Sequence, residues 1–520
     1  MLLEKIDCKK LDSIFSPLLI DYLHEKEHLR PFYNLFPHPK NIAEQIKQKE
    51  FTANQRGLLR NVLAKQYTEV AQTAAVEANL ERLTHENTFT VTTGHQLNIF
   101  AGPLYFIYKI VAAINACKKL EKAYPHYHFV PVYWMASEDH DFEEISHFTL
   151  FGKTYTWHTD QQGAVGRMNP NSLQQVLKEL PEKVHLFEEA YTNHQTLAAA
   201  TRHFVNELFG RDGLLVLDGD DAELKGSFQS VIQDDLVNHR ANALVQEQSA
   251  KLNELGYKTQ VFPREINFFY LDDHGRNRIV KERGVFKVLD RDLRFTEEEL
   301  ADKLKTCPEC FSPNVVMRPL YQEMVLPNLA YIGGPAEVAY WMQLKPVFEH
   351  YQVPFPMVMP RSFGLIIPSG QAARLRKLTI ATEELFMDTQ HLVKHFVEKN
   401  SRHTLKLNDE REWLRGIFQS VHHKAVSVDG SLDGLVEAEH TRSIKILDRI
   451  EKRLRKAEEQ RQEIEVGQIK KLREKLFPGN SLQERKENFL NFYIPNPEII
   501  NEMLQAFNPF EYSFNVLIED

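Results

Sequence analysis

The chain has very little cysteine, four residues in 520. That is too few for a disulfide framework and points to a compartment where thiols stay reduced. It has no apolar run near the roughly 18 residues a membrane span needs. Its start, MLLEKIDCKKLDS, lacks the basic-then-apolar pattern of a secretory signal. Positive charge is not in excess either: 63 basic and 72 acidic residues leave a net −9. Indiscriminate binding along a nucleic-acid backbone needs the opposite balance. No internal repeat or low-complexity tract stands out. These absences predict a soluble cytoplasmic protein with neither nucleic acid nor membrane as partner. What is present is an ordinary globular composition, long enough for roughly two to four folding units.

Along the chain, residues 1–86 read as mainly helical. From 88 the texture changes to short apolar strands alternating with amphipathic helices: strand 88–93, helix 102–120, strand 129–136, strand 213–218. Such alternation predicts βαβ units and a parallel sheet. Segment 266–288 breaks the pattern. NFFYLDD and RNRIVKE flank His274-Gly275 like the arms of a β-hairpin, which reads as part of an insertion over about 258–312. Strand, glycine turn and helix return at 330–345, and strands 358–361 and 363–367 close the α/β part.

After about 369 strong helix formers dominate. In 432–476, Leu447, Ile450, Leu454, Ala457 and Ile464 fit a coiled-coil seam, which Ile469, Leu472 and Leu476 resume one residue out of phase. Segment 371–399 is the expected antiparallel partner, with DGSLDG at 429–434 as a turn. A terminal strand is expected over 507–518. The fold expected from these patterns is α/β: a parallel-sheet core with an insertion (1–370), an α-helical domain with a coiled-coil seam (371–505), and a C-terminal strand (506–520) returning to the core.

Three loops carry chemistry, each just past a predicted strand, where α/β proteins bind ligands. In TVTTGHQLNIFAGPLYFIYK, Gly94, His95 and Gln96 follow the strand and Gly102-Pro103 opens the next helix. Free N–H groups there attract anions, and Tyr105 and Lys109 could add donors one turn on. The layout is not a Walker A motif; it is closer to the His-containing loop of class I aminoacyl-tRNA synthetases and related nucleotidyltransferases. The competing reading is a tight βα connection with a satisfied buried histidine. In FVPVYWMASEDHDFEEI, Glu138, Asp139, His140 and Asp141 crowd the loop after an apolar strand. They suit an ammonium group, Mg²⁺ or general-base work; hard oxygen ligands disfavour zinc. A helix cap would explain Asp139 or Asp141 alone. In AYIGGPAEVAYWMQLK, Gly333 and Gly334 lead a helix bearing Glu337, Tyr340 and Trp341, with Asn314 and Arg318 upstream. Arg318 and Arg361 are candidate anion forks, with surface salt-bridging as the plain alternative. Cys307-Pro-Glu-Cys310 is a lone CxxC, short of the four ligands of structural zinc, and no metal site is assigned.

TGHQ…GPLYFIYK, PVYWMASEDHDFEEI, SPNVVMRPLYQ and YIGGPAEVAYWMQLKPVFEH together resemble the bacillithiol biosynthesis cysteine-adding enzymes. The likeness extends through LVLDGDDAELK and PRS to the helical arm. It implies that the core is Rossmann-like with inserted connecting segments, that a coiled-coil domain mediates homodimerisation, and that L-cysteine is added to glucosaminyl-malate as the last pathway step. Forming that amide requires activating the carboxylate, which implicates ATP, with ADP as the product of an acyl-phosphate route. Lacking the KMSKS loop of class I synthetases, the chain leaves adenylate and acyl-phosphate routes open. On this reading phosphates sit at Gly94, His95 and the Gly102 helix start, cysteine or the sugar amine meets Glu138, Asp139, His140 and Asp141, and Arg318 holds the malate carboxylates. Another nucleotidyltransferase-like amide ligase and a non-catalytic scaffold are the alternatives.

Overall fold

The computed structural model describes residues 1–519. They form two compact units, one of 3–365 with 483–517, the other essentially 366–482. At the centre of the first lies a five-stranded sheet of β1 (Thr88–His95), β2 (His128–Met135), β3 (Leu215–Asp218), β4 (Asn328–Gly333) and β5 (Met357–Pro360). Every neighbouring pair is parallel. The spatial order is β5-β4-β1-β2-β3, the 3-2-1-4-5 order of doubly wound folds. The chain starts at the middle, runs outward to β3, then crosses back to β4. The switch point therefore lies between β1 and β4.

Parallel sheets covered on both faces are built from continuously buried strands, and β1 is buried from Thr88 to Gly94. Three of its four threonines have matched hydroxyls: Thr90 and Thr92 donate to Asn328 Oδ1 at 3.1 and 2.8 Å, and Thr93 to the Ile332 carbonyl. Helix Tyr105–Ala123 carries the chain from β1 to β2 and Pro335–His350 from β4 to β5. Val91, Ala112, Ala116, Phe129, Ile332 and Met359 meet in the core between sheet and helix.

The expected insertion contains a five-stranded antiparallel sheet built from Phe268–Asp272, Gly275–Glu282, Val285–Val288, Leu293–Phe295 and Phe311–Pro313. Asp272 pairs with Gly275, so the hairpin turn is Asp273-His274, one residue earlier than expected. The N-terminal region is not wholly helical. Leu2–Asp7 is a strand, in a small sheet ordered Leu2–Asp7, Ser513–Ile518, Phe363–Ile367.

The helical unit is shorter than 371–505, because 483–505 packs with the sheet unit. Glu484 pairs with Arg361 at 2.5 Å, Asn488 Nδ2 donates to the Phe100 and Gly102 carbonyls, and Asn115 Nδ2 donates to those of Leu504 and Phe507. Within the helical unit, Asp433–Arg461 and Glu463–Leu476 are separate helices, broken at Gln462. The hairpin partner of Asp433–Arg461 is Asn408–Val428, joined to it through the expected turn, and not 371–399. A short αα connection places sequence neighbours side by side. Thr389–Asn400 packs instead mainly on Glu463–Leu476.

Cys307 and Cys310 are joined as a disulfide, so their sulfurs are not a ligand pair here, and Cys8 and Cys117 are buried thiols. Among the described residues no helix is long and apolar enough to cross a membrane.

Candidate functional site

A cleft of about 670 Å³ opens at the carboxyl ends of β1, β2 and β4. All three motif loops reach it. Gly94, His95 and Gln96 line it from β1, Glu138 and Asp139 from β2, and Gly334 and Glu337 from the start of helix Pro335–His350. Tyr105, Lys109, Asn314, Arg318, Tyr340 and Arg361 complete the expected members.

The walls hold fixed charge. Lys109 Nζ lies 2.6 Å from Glu337 Oε2 and donates to the Gly94 carbonyl at 2.8 Å. Burial lowers the Lys109 pKa, opposed by the Glu337 charge. Glu337 is held below the usual carboxylate range, because Lys109, the Tyr331 hydroxyl and the Gly334 N–H outweigh its burial. Glu337 thus locks the turn between β4 and its helix. Arg361, just past β5, reaches Glu484 and stacks over Tyr105 and Phe363. Arg318 bonds Gln322 at 2.9 Å and lies over the Tyr331 ring.

On the β2 side, Glu138 Oε1 is 2.5 Å from Lys225 Nζ, which lies 3.0 Å from Asp220; Arg167 pairs with Asp220 at 2.7 Å. Acid and base alternate along this chain, which is buried from Glu138 through Lys225 to the Asp220 carboxylate and reaches the surface at Arg167. Burial pushes the Glu138 carboxyl up, with Lys225 opposing it. Lys225 itself is held more firmly protonated, since Glu138 and Asp220 outweigh its burial. Asp139 accepts from Gln96 Nε2 at 2.9 Å and from the His140 N–H at 2.8 Å. Burial would raise its pKa, but the Gln96 bond, Arg276 and the backbone donors carry it down.

His95 is a neutral ring. Burial, then Lys109 and Arg361, depress its pKa far below the usual range, and it stacks on Phe106. It can offer a hydrogen bond but not a positive charge.

Several expected residues lie elsewhere. Gly102 and Pro103 do not open a helix onto the cleft. The helix begins at Tyr105, Gly102 has φ +53°, and a Cβ there would come within 2.5 Å of Asn98. The Leu104 N–H donates to the Glu487 carbonyl at 2.9 Å, so this turn is tied to 483–505 and does not await an anion. His140 is exposed, 3.3 Å from Arg276. Asp141 caps the short helix Phe142–Ile145 through the Glu144 N–H at 3.4 Å. Trp341 is fully buried, stacked on Tyr331. Gly333 sits behind the cleft wall, its carbonyl accepting from the Arg361 N–H at 2.8 Å.

Sequence reading missed four arginines: Arg264, Arg276, Arg278 and Arg485 also line the cleft. Arg276 Nε and Nη2 each donate at 2.8 Å, to Ser312 Oγ and the Pro313 carbonyl, and its guanidinium covers Phe269. The signal was present: in a strand, residues two apart share a face, so RNR at 276–278 aims two cations one way. In all, six arginines and Lys109 face three acids, Glu138, Asp139 and Glu337. Lys109 and Glu337 neutralise each other, which leaves a cationic cleft suited to carboxylates or phosphates.

A family model described as the Bacillithiol biosynthesis BshC N-terminal Rossmann-like domain matches residues 1–362, and its C-terminal coiled-coil domain matches 364–519. Relatives named "Putative cysteine ligase BshC" include one from Flavobacterium psychrophilum, 42% identical with 97% of each chain covered. Another, from Christiangramia forsetii, is also 42% identical with 97% of each covered; one from Cytophaga hutchinsonii is 39% identical with 96% covered. A solved structure titled as a putative arginyl tRNA synthetase from Campylobacter jejuni is 10% identical over 88% of this chain and 98% of its own, with a TM-score of 0.25. A likeness that weak carries no argument.

Proposed function

The chain belongs to the bacillithiol biosynthesis BshC family, and on that premise we propose that it is the cytoplasmic cysteine ligase of that pathway. It joins the carboxyl carbon of L-cysteine to the amine of glucosaminyl-malate. The observation that carries the reading is the convergence of the GHQ, ED and GGP loops with six arginines on one cleft at the sheet's switch point.

The chemistry follows from the charges. An amine does not displace oxide from a carboxylate, so the acid must first be activated, and we assign ATP to that step. The ligands of such a reaction, a dicarboxylate and a polyphosphate, are both anions, and the cationic cleft fits them. His95 Nε2, Arg318 Nη2 and Arg361 Nε are buried there without a hydrogen-bond partner among the described residues. Buried donors left unmatched are costly, and a bound anion would relieve that cost by drawing the side chains onto itself. Arg318 is assigned to the malate carboxylates, with Arg276 and Arg278, which line the same cleft, as further cations. Asp139, held as a carboxylate, and Glu138 receive the incoming amine, and a base there takes its proton. Phosphates are assigned to the side of the cleft at Gly94 and His95, beside Arg318 and Arg361, not to Gly102. Among the described residues no cluster of three or more His, Cys, Asp or Glu could cage a metal. Mg²⁺ would therefore arrive with the phosphates, held by one or two carboxylates.

The helical unit is assigned to self-association. Trp413, Ile417 and Val421 on one arm helix and Ile446, Ile450 and Leu454 on the other are exposed, an apolar seam that a second copy would cover.

Purified protein given ATP, Mg²⁺, L-cysteine and glucosaminyl-malate is expected to form the amide, seen by product mass, with nucleotide consumed only when both substrates are present. AMP or ADP as by-product tells the two activation routes apart. Nucleotide turnover that ignores cysteine, or no amide under any condition, would overturn the reading.

A further inference from the structure

The CPEC segment has no part in the ligation above, yet it lies directly behind the cleft. Pro308–Cys310 is a single tight turn, closed by the Cys310 N–H onto the Cys307 carbonyl at 3.0 Å and by the disulfide. Two connections run from it to cleft side chains. The Glu309 carbonyl, inside the disulfide ring, accepts from Lys225 Nζ at 3.1 Å, and the same Nζ holds Glu138. Cys310 leads straight into Phe311–Pro313, whose Ser312 Oγ and Pro313 carbonyl hold Arg276. Glu138 and Arg276 both line the cleft. The dithiol form of the turn lacks the covalent tie that fixes Glu309 and the start of that strand.

The two sulfurs differ in access. Cys310 is buried, whereas Cys307 is only partly so, so one sulfur can be approached and the other serves as leaving group. Where thiols are kept reduced, a disulfide is rarely structural and more often transient or redox-sensing. The reaction proposed for the cleft consumes one thiol, cysteine, and produces another.

We propose that Cys307–Cys310 is a thiol–disulfide exchange site for low-molecular-weight thiols, and that its redox state sets the position of Glu138 and Arg276 through the Glu309 turn. The exchange is balanced. A thiolate attacks Cys307 Sγ, the Cys307–Cys310 bond breaks, a mixed disulfide forms on Cys307, and the electron pair leaves on Cys310 Sγ, which takes a proton. A second thiolate attacks the outer sulfur and releases the small disulfide and the Cys307 thiol. Two small thiols are oxidised and the protein disulfide gains two electrons. The consequence for rate rests on the ligase reading; the exchange itself does not.

The test equilibrates the full chain in cysteine/cystine buffers of varied ratio, then quenches with acid and counts thiols by alkylation and mass. The expected result is a single two-electron transition confined to Cys307 and Cys310, with Cys8 and Cys117 reduced throughout. Cys310→Ser should trap one cysteinyl adduct on Cys307. Hydrogen exchange of 219–228 and 309–318 should rise in the reduced chain, and ligase rates of the two forms should differ by roughly fivefold or more, the lower end of ordinary site coupling. A Cys307→Ser/Cys310→Ser double variant should show one rate in every buffer. A pair that stays oxidised in excess thiol, or one that exchanges with no change in protection at 219–228 and 309–318, overturns the proposal. Absence of ligase turnover in both redox forms would count against the function reading alone, since thiol counting and hydrogen exchange still decide this one.

Discussion

The two units handle charge in opposite ways. In the sheet unit, ions are buried in pairs and chains: Lys49 with Glu323, Arg361 with Glu484, and Lys225 between Glu138 and Asp220. In the helical unit the pairs are at least partly exposed, openly so in Arg415 with Glu412 and Arg442 with Glu439. Tryptophans divide the same way: Trp341 is fully buried while Trp413 is 67% exposed. Buried charge is expensive unless every partner is present, so the sheet unit has a rigid electrostatic frame around its cleft. Exposed pairs fix little. The helical unit therefore has the character of a spacer or docking arm, and the cleft that of a site set in a frame of buried ion pairs.

Because Trp134, Trp157 and Trp341 report the sheet unit and Trp413 the helical one, each can be unfolded under its own signal. The sharpest break of the contrast is Glu484→Leu. It strands the Arg361 guanidinium and the Gly364 N–H, both of which Glu484 accepts from. Removing one partner of a buried pair costs about 3–5 kcal/mol, so the denaturant midpoint of the sheet unit should fall while Trp413 is unmoved. Arg361→Met added to Glu484→Leu should recover much of the loss. A cost below about 1 kcal/mol for the single change would erase the distinction between units.

Next in size is a contrast within the cleft. Arg318→Ala should lower kcat/KM by about 10²-fold or more, the scale of losing one preorganised donor. Asp141→Ala, which removes only the cap of an exposed helix, should leave it within about twofold, since a lost cap costs ~1 kcal/mol of local stability. Equal losses in both would return Asp141 to the site.

This contrast also shows what could be read from the chain. The order of strands and helices was legible because β1 and β2 are nearly unbroken buried apolar or β-branched runs, and the convergence of three loops followed from where parallel strands end. Membership of the cleft was harder, since it depends on direction. Glu138 and Asp141 are three residues apart in one acidic cluster, yet one faces inward beside Lys225 and the other caps a helix at the surface. Trp341 and Tyr340 are adjacent on one helix, and only Tyr340 reaches the cleft. Arg485 was out of reach because 480–490 falls within the span expected to belong to the helical domain, whereas Asn488 and Glu484 bind it to the sheet unit through long-range bonds that no local pattern encodes. The arm partner was misassigned for the reverse reason: helix formers without a strict seam pair with whatever the shortest turn supplies.

A pH experiment sharpens the comparison from another side. Asp235 is fully buried, accepting from the Asn267 backbone N–H at 2.6 Å and from its side chain at 3.2 Å. Burial, opposed by those bonds, pushes its carboxyl up to about 6. The folded state then holds a proton that the unfolded chain, near pH 4, has already released. Stability contributed by Asp235 is present below that pH and is lost as pH rises to about 6, by roughly 3 kcal/mol in all for a shift of about two units. Wild type should therefore weaken relative to Asp235→Asn between pH 4 and 6, in the sheet-unit tryptophan signal only. A stability difference between the two that stays constant across that range would mean the carboxyl is not displaced upward.

The smallest effects belong to the helical unit. Arg442 and Glu439 are both well exposed, so Arg442→Gln should change the Trp413 transition by no more than about 0.5 kcal/mol. Arg411 is different. It is shared by Asp448 at 2.8 Å and Glu451 at 2.9 Å and is three-quarters shielded, linking the two hairpin helices where few apolar side chains are covered. Arg411→Gln should cost more than Arg442→Gln, on the order of 1 kcal/mol, and the gap between the two should shrink as salt is raised toward 1 M, where screening acts within about 3 Å. If both cost the same at low salt, cross-helix ion pairing adds nothing to the arm. Its rigidity would then come from helix propensity and from whatever covers the apolar seam.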